Sequence, residues 1–133
     1  MLTALTSKAY RKALFKRLSG FSAAAELPAG GRAEQRLLRA IFMVLGRLAK
    51  MDGRVTQEEI DYAGQIMQRM ALAGEKRREA IVAYDQGKHP YADLSESVAL
   101  AVKVMGRRSA LAKLILQIQC EAAYLKGNLR LKD

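Results

Sequence analysis

The chain has 133 residues, a single cysteine and a net charge of +10, from 23 basic and 13 acidic side chains. This length suffices for one domain with its own hydrophobic core, and Cys120 alone excludes an intramolecular disulfide framework. No apolar run reaches the roughly 18 residues of a membrane-spanning helix, so we expect a cytoplasmic protein. Cys120 lies within an apolar helical pattern, which predicts a buried thiol.

The N-terminal part of the chain carries most of the excess charge. Residues 1–40 hold eight basic and two acidic side chains, a net charge of +6. A helix is predicted over residues 3–19, followed by a linker with glycine and proline. Basic and apolar side chains mix around this helix, a poor pattern for lying on a membrane. We therefore divide the chain into a basic N-terminal helical arm with its linker, residues 1–32, and a helical domain, residues 33–133.

The predicted elements of this domain are all helices, because apolar residues recur at the helical period and no window alternates in the strand period. The first of them is apolar over half its circumference, which predicts a central helix. The helices are predicted over residues 33–51, after Thr56, over 75–86, over 94–105 and after Ser109. Gly87 is interpreted as the stop of the third. The fold class predicted is all-α, a compact bundle of about five to six helices.

Two four-residue segments have the capping-box pattern, in which the first side chain binds the fourth amide and the fourth side chain reaches back. They are TQEE at residues 56–59 and DLSE at residues 93–96. We predict a helix start at each. Ile60, just after the first box, is predicted to be buried.

The turn before Thr56 belongs to the densest acidic segment, AKMDGRVTQEE, residues 49–59. An altered copy, AYLKGNLRLKD, follows 74 residues later at residues 123–133. Lys126 stands in this second copy where the first has Asp52. By analogy with the helix start after Thr56, a helix should begin near Asp133.

Asp52, Glu58 and Glu59 are candidate ligands for a divalent cation, because hard cations bind converging oxygens near a tight glycine turn. The spacing is not that of an EF-hand, and three carboxylates do not complete the roughly six to eight ligands of calcium. Lys126 would add a repulsive charge. We favour a structural interpretation, in which Gly53 takes a positive φ and Glu59 caps a helix.

No other motif supports catalysis or specific nucleic-acid binding, so no catalytic residue is predicted. His89, the one histidine, lies beside Pro90 without a nucleophile signature, and we expect it to be exposed. No phosphate loop, dinucleotide fingerprint or zinc spacing occurs. Basic clusters at residues 76–78 and 107–108 suit weak, salt-sensitive adhesion, but no stacking or recognition-helix motif accompanies them.

Four segments carry a resemblance to a known family: VLGRLAKMDGRVTQEEI (44–60), IMQRMALAGEKRREAI (66–81), GKHPYADL (87–94) and LILQIQCEAAYLKGNL (114–129). With them the chain resembles the tellurite-resistance-B-like (TerB-like) helical domain, as found in membrane-anchored DnaJ-like co-chaperones of the DjlA type. The resemblance implies a helical scaffold for protein contact, placed between a membrane anchor and a J domain. Related domains carry Asp-Gly motifs proposed to bind metal; Asp52 and Glu59 match the first motif, and Lys126 breaks the second.

The resemblance does not extend to chaperone stimulation. A J domain stimulates ATP hydrolysis by a DnaK-type chaperone through a His-Pro-Asp tripeptide. In this sequence His89 and Pro90 are followed by Tyr91. Contact with a DnaK-type chaperone would therefore pass through a J domain that these residues do not contain.

The sequence thus predicts a non-catalytic helical interaction or regulatory domain with protein partners and no cofactor beyond the candidate cation. Self-association as a homodimer stays open. One alternative is a divalent-cation-binding domain of the tellurite or stress response. The other is a basic adaptor that binds an anionic membrane surface through residues 1–32, at the cytoplasmic face of the inner membrane.

Overall fold

The computed structural model describes residues 9, 12, 13, 16, 31–51, 53–106 and 109–132. Within these residues it contains five helices and no strand, which confirms the predicted all-α class. The helices are α1 (Arg32–Lys50), α2 (Gln57–Arg69), α3 (Glu75–Lys88), α4 (Ser95–Met105) and α5 (Ser109–Lys132). None of them combines the length and apolarity needed to cross a membrane. The predicted arm helix and its membrane contact lie almost wholly outside the described residues and stay predictions.

Helix α1 is the centre of the bundle, as its broad apolar surface predicts. Ten of its 19 residues are buried. Leu37, Ile41 and Phe42 are at most 2% exposed. Helices α3, α4 and α5 all pack against it. The core therefore surrounds α1, and the ends of α1 position the surfaces described below.

Two glycines let α1 and α3 cross with their backbones in contact. A Cβ atom at Gly46 would come within 2.0 Å of the Tyr84 carbonyl oxygen, and one at Gly87 within 2.0 Å of the Met43 carbonyl oxygen. The prediction that Gly87 stops the third helix is wrong, because α3 runs through Gly87 to Lys88. The helix ends there because Pro90 forces the preceding residue out of the helical region.

The two predicted capping boxes have different outcomes. The first is confirmed: the Thr56 hydroxyl accepts from the Glu59 amide at 3.3 Å, and Glu59 Oε1 accepts from the Thr56 amide at 3.1 Å. The second is wrong. Asp93 Oδ1 accepts instead from the Ser95 amide at 2.9 Å, an Asx turn, and α4 begins without a side-chain cap.

Two residues predicted to be buried are exposed, for one geometric reason. Ile60 is 46% exposed. Cys120 is also exposed. Each lies two positions from a residue that anchors its helix in the core, Tyr62 in α2 and Ile118 in α5. Since a helix turns about 100° per residue, two positions place a side chain on nearly the opposite side.

The second copy of the acidic segment does not repeat the turn of the first. Helix α5 continues without a break through Gly127 to Lys132. The predicted helix start near Asp133 lies outside the described residues and stays a prediction. The position of Thr56 corresponds to Arg130, which has no oxygen to cap a new helix. The copies therefore share sequence but differ in local structure.

Candidate functional site

We call residues 49–59 together with Lys126 the acidic corner. Helix α1 ends at Lys50, and the chain turns at Gly53, whose φ is 83° and whose amide donates to the Lys50 carbonyl at 2.8 Å. The predicted positive φ of Gly53 is confirmed. Of the three candidate metal ligands, Glu58 is exposed and Glu59 is buried, while Asp52 lies outside the described residues.

The carboxylate of Glu59 is held by three donors. Its Oε1 atom accepts from the Thr56 amide at 3.1 Å, from the Thr56 hydroxyl at 3.0 Å and from Lys126 Nζ at 3.0 Å. Glu59 and Lys126 are each 6% exposed. Buried charges are tolerated in this way only when they are paired and hydrogen-bonded.

Two backbone carbonyls also accept hydrogen bonds from the Lys126 ammonium. It donates to the Ala49 carbonyl and to the Arg54 carbonyl, each at 2.6 Å. With Glu59, they give the three protons of the ammonium group at least three oxygen acceptors. We call the three oxygens the ammonium cage. The sequence predicted a positive charge from Lys126 near the acidic corner, but the bond between Lys126 and Glu59 was not predicted.

Two tyrosines lie beside the ammonium cage. The Tyr62 hydroxyl donates to the Ile118 carbonyl at 2.9 Å. The Tyr84 hydroxyl is buried and has no hydrogen-bond partner among the described residues. Burial, followed by the carboxylates of Glu59 and Asp85, raises the pKa of Tyr84 to about 12. The cavity lined by Glu59 and both tyrosines measures only about 10 Å³, the size of about one water molecule.

This geometry bears on the cation and enzyme hypotheses. Across the part of the chain that the structure describes, no three His, Cys, Asp or Glu side chains converge to hold a metal. Because Asp52 is not among them, the metal site of Asp52, Glu58 and Glu59 stays a prediction. His89 is exposed, as expected, and its Nδ1 accepts from the Tyr91 amide at 3.3 Å.

A different kind of surface lies toward the other end of α1. We call it the α1–α3–α4 groove, a hollow of about 570 Å³ between these helices. Its apolar lining residues are Leu38, Ala80, Val82, Ala83 and Leu100. It adjoins a second hollow of about 580 Å³ that shares Val82. Volumes of this order suit a bound group much larger than a water molecule.

The groove has charged residues of both signs around its apolar lining. Three exposed arginines of α1 lie along it at helical spacing: Arg32, Arg36 and Arg39. Acidic groups from α3, α4 and the turn before α4 also line it: Glu75, Glu79, Asp93 and Glu96. None of the three arginines forms an ion pair with another described residue. A charged surround with an apolar centre is typical of a protein-contact surface.

Comparison with known proteins finds relatives along most of the chain. The co-chaperone protein DjlA of Photobacterium profundum is 41% identical over 88 residues, 66% of this chain and 32% of the relative. The co-chaperone protein DjlA of Photorhabdus laumondii is 39% identical over 88 residues, again 66% of this chain and 32% of the relative. The DjlA protein of Vibrio vulnificus strain YJ016 is 36% identical over 104 residues, 76% of this chain and 35% of the relative.

The chain is related to DjlA co-chaperones. It spans about a third of the length of these relatives. The predicted relationship to DnaJ-like co-chaperones is thereby confirmed. No family model matches the chain, and no solved structure matches it. The narrower TerB-like assignment therefore stays a prediction.

Proposed function

We propose that this chain is a non-catalytic interaction module of a DnaJ-like co-chaperone. The observation that carries the proposal is the match of 66% to 76% of the chain to about a third of proteins named co-chaperone protein DjlA. A segment of that length would perform only part of the function of the whole protein. Contact with a DnaK-type chaperone then belongs to the J-domain part of such a protein.

The acidic corner and the α1–α3–α4 groove differ in how well they suit contact with another protein. In the acidic corner the buried charges are already paired, and the cavity beside them admits about one water molecule. The α1–α3–α4 groove is open, has an apolar lining and carries arginines that form no ion pair with the described residues. We therefore place the protein contact in the groove.

Site-specific photo-cross-linking in living cells tests this placement. A photoreactive amino acid is introduced at Val82, which lines the groove and is 53% exposed. The matched control is Ile60, which is 46% exposed on α2 and does not line the groove. We expect a discrete adduct from position 82, identified by mass spectrometry, and none from position 60.

A second change separates specific binding from chance contact. Because Arg36 lines the groove, Arg36→Glu should abolish the adduct from position 82 without unfolding the protein. An adduct of twice the chain's mass would identify the partner as a second copy. Equal labelling from positions 82 and 60, or no adduct from position 82, would refute the placement of the contact in the groove.

A further inference from the structure

The acidic corner contains an arrangement that the proposed interaction does not use. Ala49, Arg54 and Glu59 lie close together in sequence, and their oxygens converge on one nitrogen from α5. We infer that the ammonium cage is a cation site filled permanently by the protein's own Lys126, and that it accepts a free primary ammonium group when this side chain is removed.

The distances favour an ammonium. The Nζ–oxygen separations of 2.6, 2.6 and 3.0 Å lie near the length of hydrogen bonds from a charged donor. At least three oxygens face the three protons of the ammonium, and the Glu59 carboxylate carries a charge opposite to that of Lys126.

The helix ends explain why the cage attracts a cation. The Ala49 carbonyl is among the last four of α1, which have no partner within the helix and carry the negative end of its dipole. Glu59 lies in the first turn of α2, where the positive end of that helix favours a carboxylate. Lys126 therefore caps α1 and neutralises the capping residue of α2 at the same time.

The duplicated sequence supports this interpretation of the ammonium cage. Lys126 stands in the second copy where the first has Asp52. The bond from Lys126 to Glu59 spans 67 residues, so it joins the two copies of the segment directly. One copy supplies the oxygens, and the other supplies the positive charge.

Chemical rescue tests the inference. The variant Lys126→Ala removes three methylene groups and the ammonium, which together have the shape of propylammonium. We expect this variant to have a lower Tm that rises again with millimolar propylammonium chloride. Tetramethylammonium chloride at the same concentration, which has no N–H donor, should restore none of the lost Tm. Wild-type protein should respond equally to both salts.

Two further variants make the test decisive. Lys126→Met keeps most of the stem and fills the space, so its Tm should be lowered and should not respond to propylammonium. Adding Glu59→Gln to Lys126→Ala removes the negative acceptor and should abolish the rescue. If Lys126→Ala does not fold alone, the readout becomes refolding with propylammonium present, and failure to refold then counts against the inference.

Three results would overturn the inference. The first is a folded Lys126→Ala protein whose Tm is the same in propylammonium and tetramethylammonium. The second is a Lys126→Met protein that is rescued as well as Lys126→Ala. The third is stronger stabilisation of Lys126→Ala by calcium than by propylammonium at equal concentration, which would make the cage a metal site that the lysine blocks.

Discussion

Tyr62 and Tyr84 form a natural pair for comparison at the scale of single residues. They are 3% and 7% exposed and line the same small cavity. The Tyr62 hydroxyl donates to the Ile118 carbonyl, whereas that of Tyr84 has no partner among the described residues. The two buried hydroxyls therefore differ in their hydrogen bonding.

Tyr84 should make the protein sensitive to alkaline pH. Its folded-state pKa of about 12 lies above the ordinary value of 10.0, chiefly because burial disfavours the phenolate. The folded state therefore holds the proton more tightly, and this stabilisation is complete below pH 10 and is lost as the pH rises toward 12. Urea denaturation at several pH values should show that the wild type loses about 2–3 kcal/mol more stability than Tyr84→Phe over this range.

The matched control for this prediction is Tyr91→Phe, at a tyrosine that is 88% exposed. It keeps Tyr84 and should lose stability with rising pH as the wild type does. Lysine titration affects all three proteins alike, so the difference between variants is the informative quantity. Parallel pH profiles for wild type and Tyr84→Phe would contradict the assignment.

At the scale of elements, the crossing of α1 and α3 depends on residues without side chains. We expect Gly87→Ala to destabilise the protein by about 3 kcal/mol, because the new methyl group meets the Met43 backbone and the helices must separate. Gly64 in α2 is the control, since a Cβ there meets nothing within 4 Å. Gly64→Ala should stabilise by up to about 1 kcal/mol.

Thermal or urea unfolding measures both glycine variants. The informative result is the opposite sign of the two changes, since each adds one methyl group to a helix. If Gly87→Ala is as stable as Gly64→Ala, the two backbones do not touch as described.

The helices themselves could be predicted from the sequence because their signals are local. The capping box at Thr56 and the turn at Gly53 depend on residues within one short segment, and both form. The role of Gly87 could not be predicted, because it depends on the position of Met43 in another helix. The prediction that Ile60 is buried was wrong for the same reason. The apolar periodicity of α2 allows several buried faces, and only packing against other helices selects the face that contains Tyr62.

The acidic corner was predictable only in part. The spacing of Thr56 and Glu59 revealed the cap, and the register of the two copies placed Lys126 opposite Asp52. The bond itself depends on how α5 lies against α1 and α2, which local sequence does not determine.

At the scale of the whole molecule, burial is distributed unevenly among the helices. Ten of the 19 residues of α1 are buried, whereas Ala101 is the one buried residue of the 11 in α4. Regions with few buried apolar contacts open locally at lower free energy. The α4 side of the groove is therefore held less firmly than the α1 side.

Hydrogen exchange followed by mass spectrometry should reveal this difference. We expect amides in α4 to exchange more than about ten times faster than those in α1, which corresponds to a difference in opening free energy above about 1.4 kcal/mol. Helix α3 serves as the control, since it also lines the groove but packs closely on α1. Equal protection of α4 and α1 would show that the bundle opens as one unit.

The groove and the corner lie at different ends of α1. Arg36 and Ala49 are 13 residues apart in one helix, about 20 Å along its axis. A change at Lys126 should therefore leave cross-linking from Val82 intact, and a change at Arg36 should leave ammonium rescue intact. The two proposals can fail separately.

The exposed thiol of Cys120 has a practical consequence. It is the chain's single cysteine and lies on α5, six residues before Lys126. A fluorophore or spin label can be attached there without first replacing other cysteines. Such a probe would report directly, in solution and in real time, whether α5 is seated on its neighbours or has lifted away.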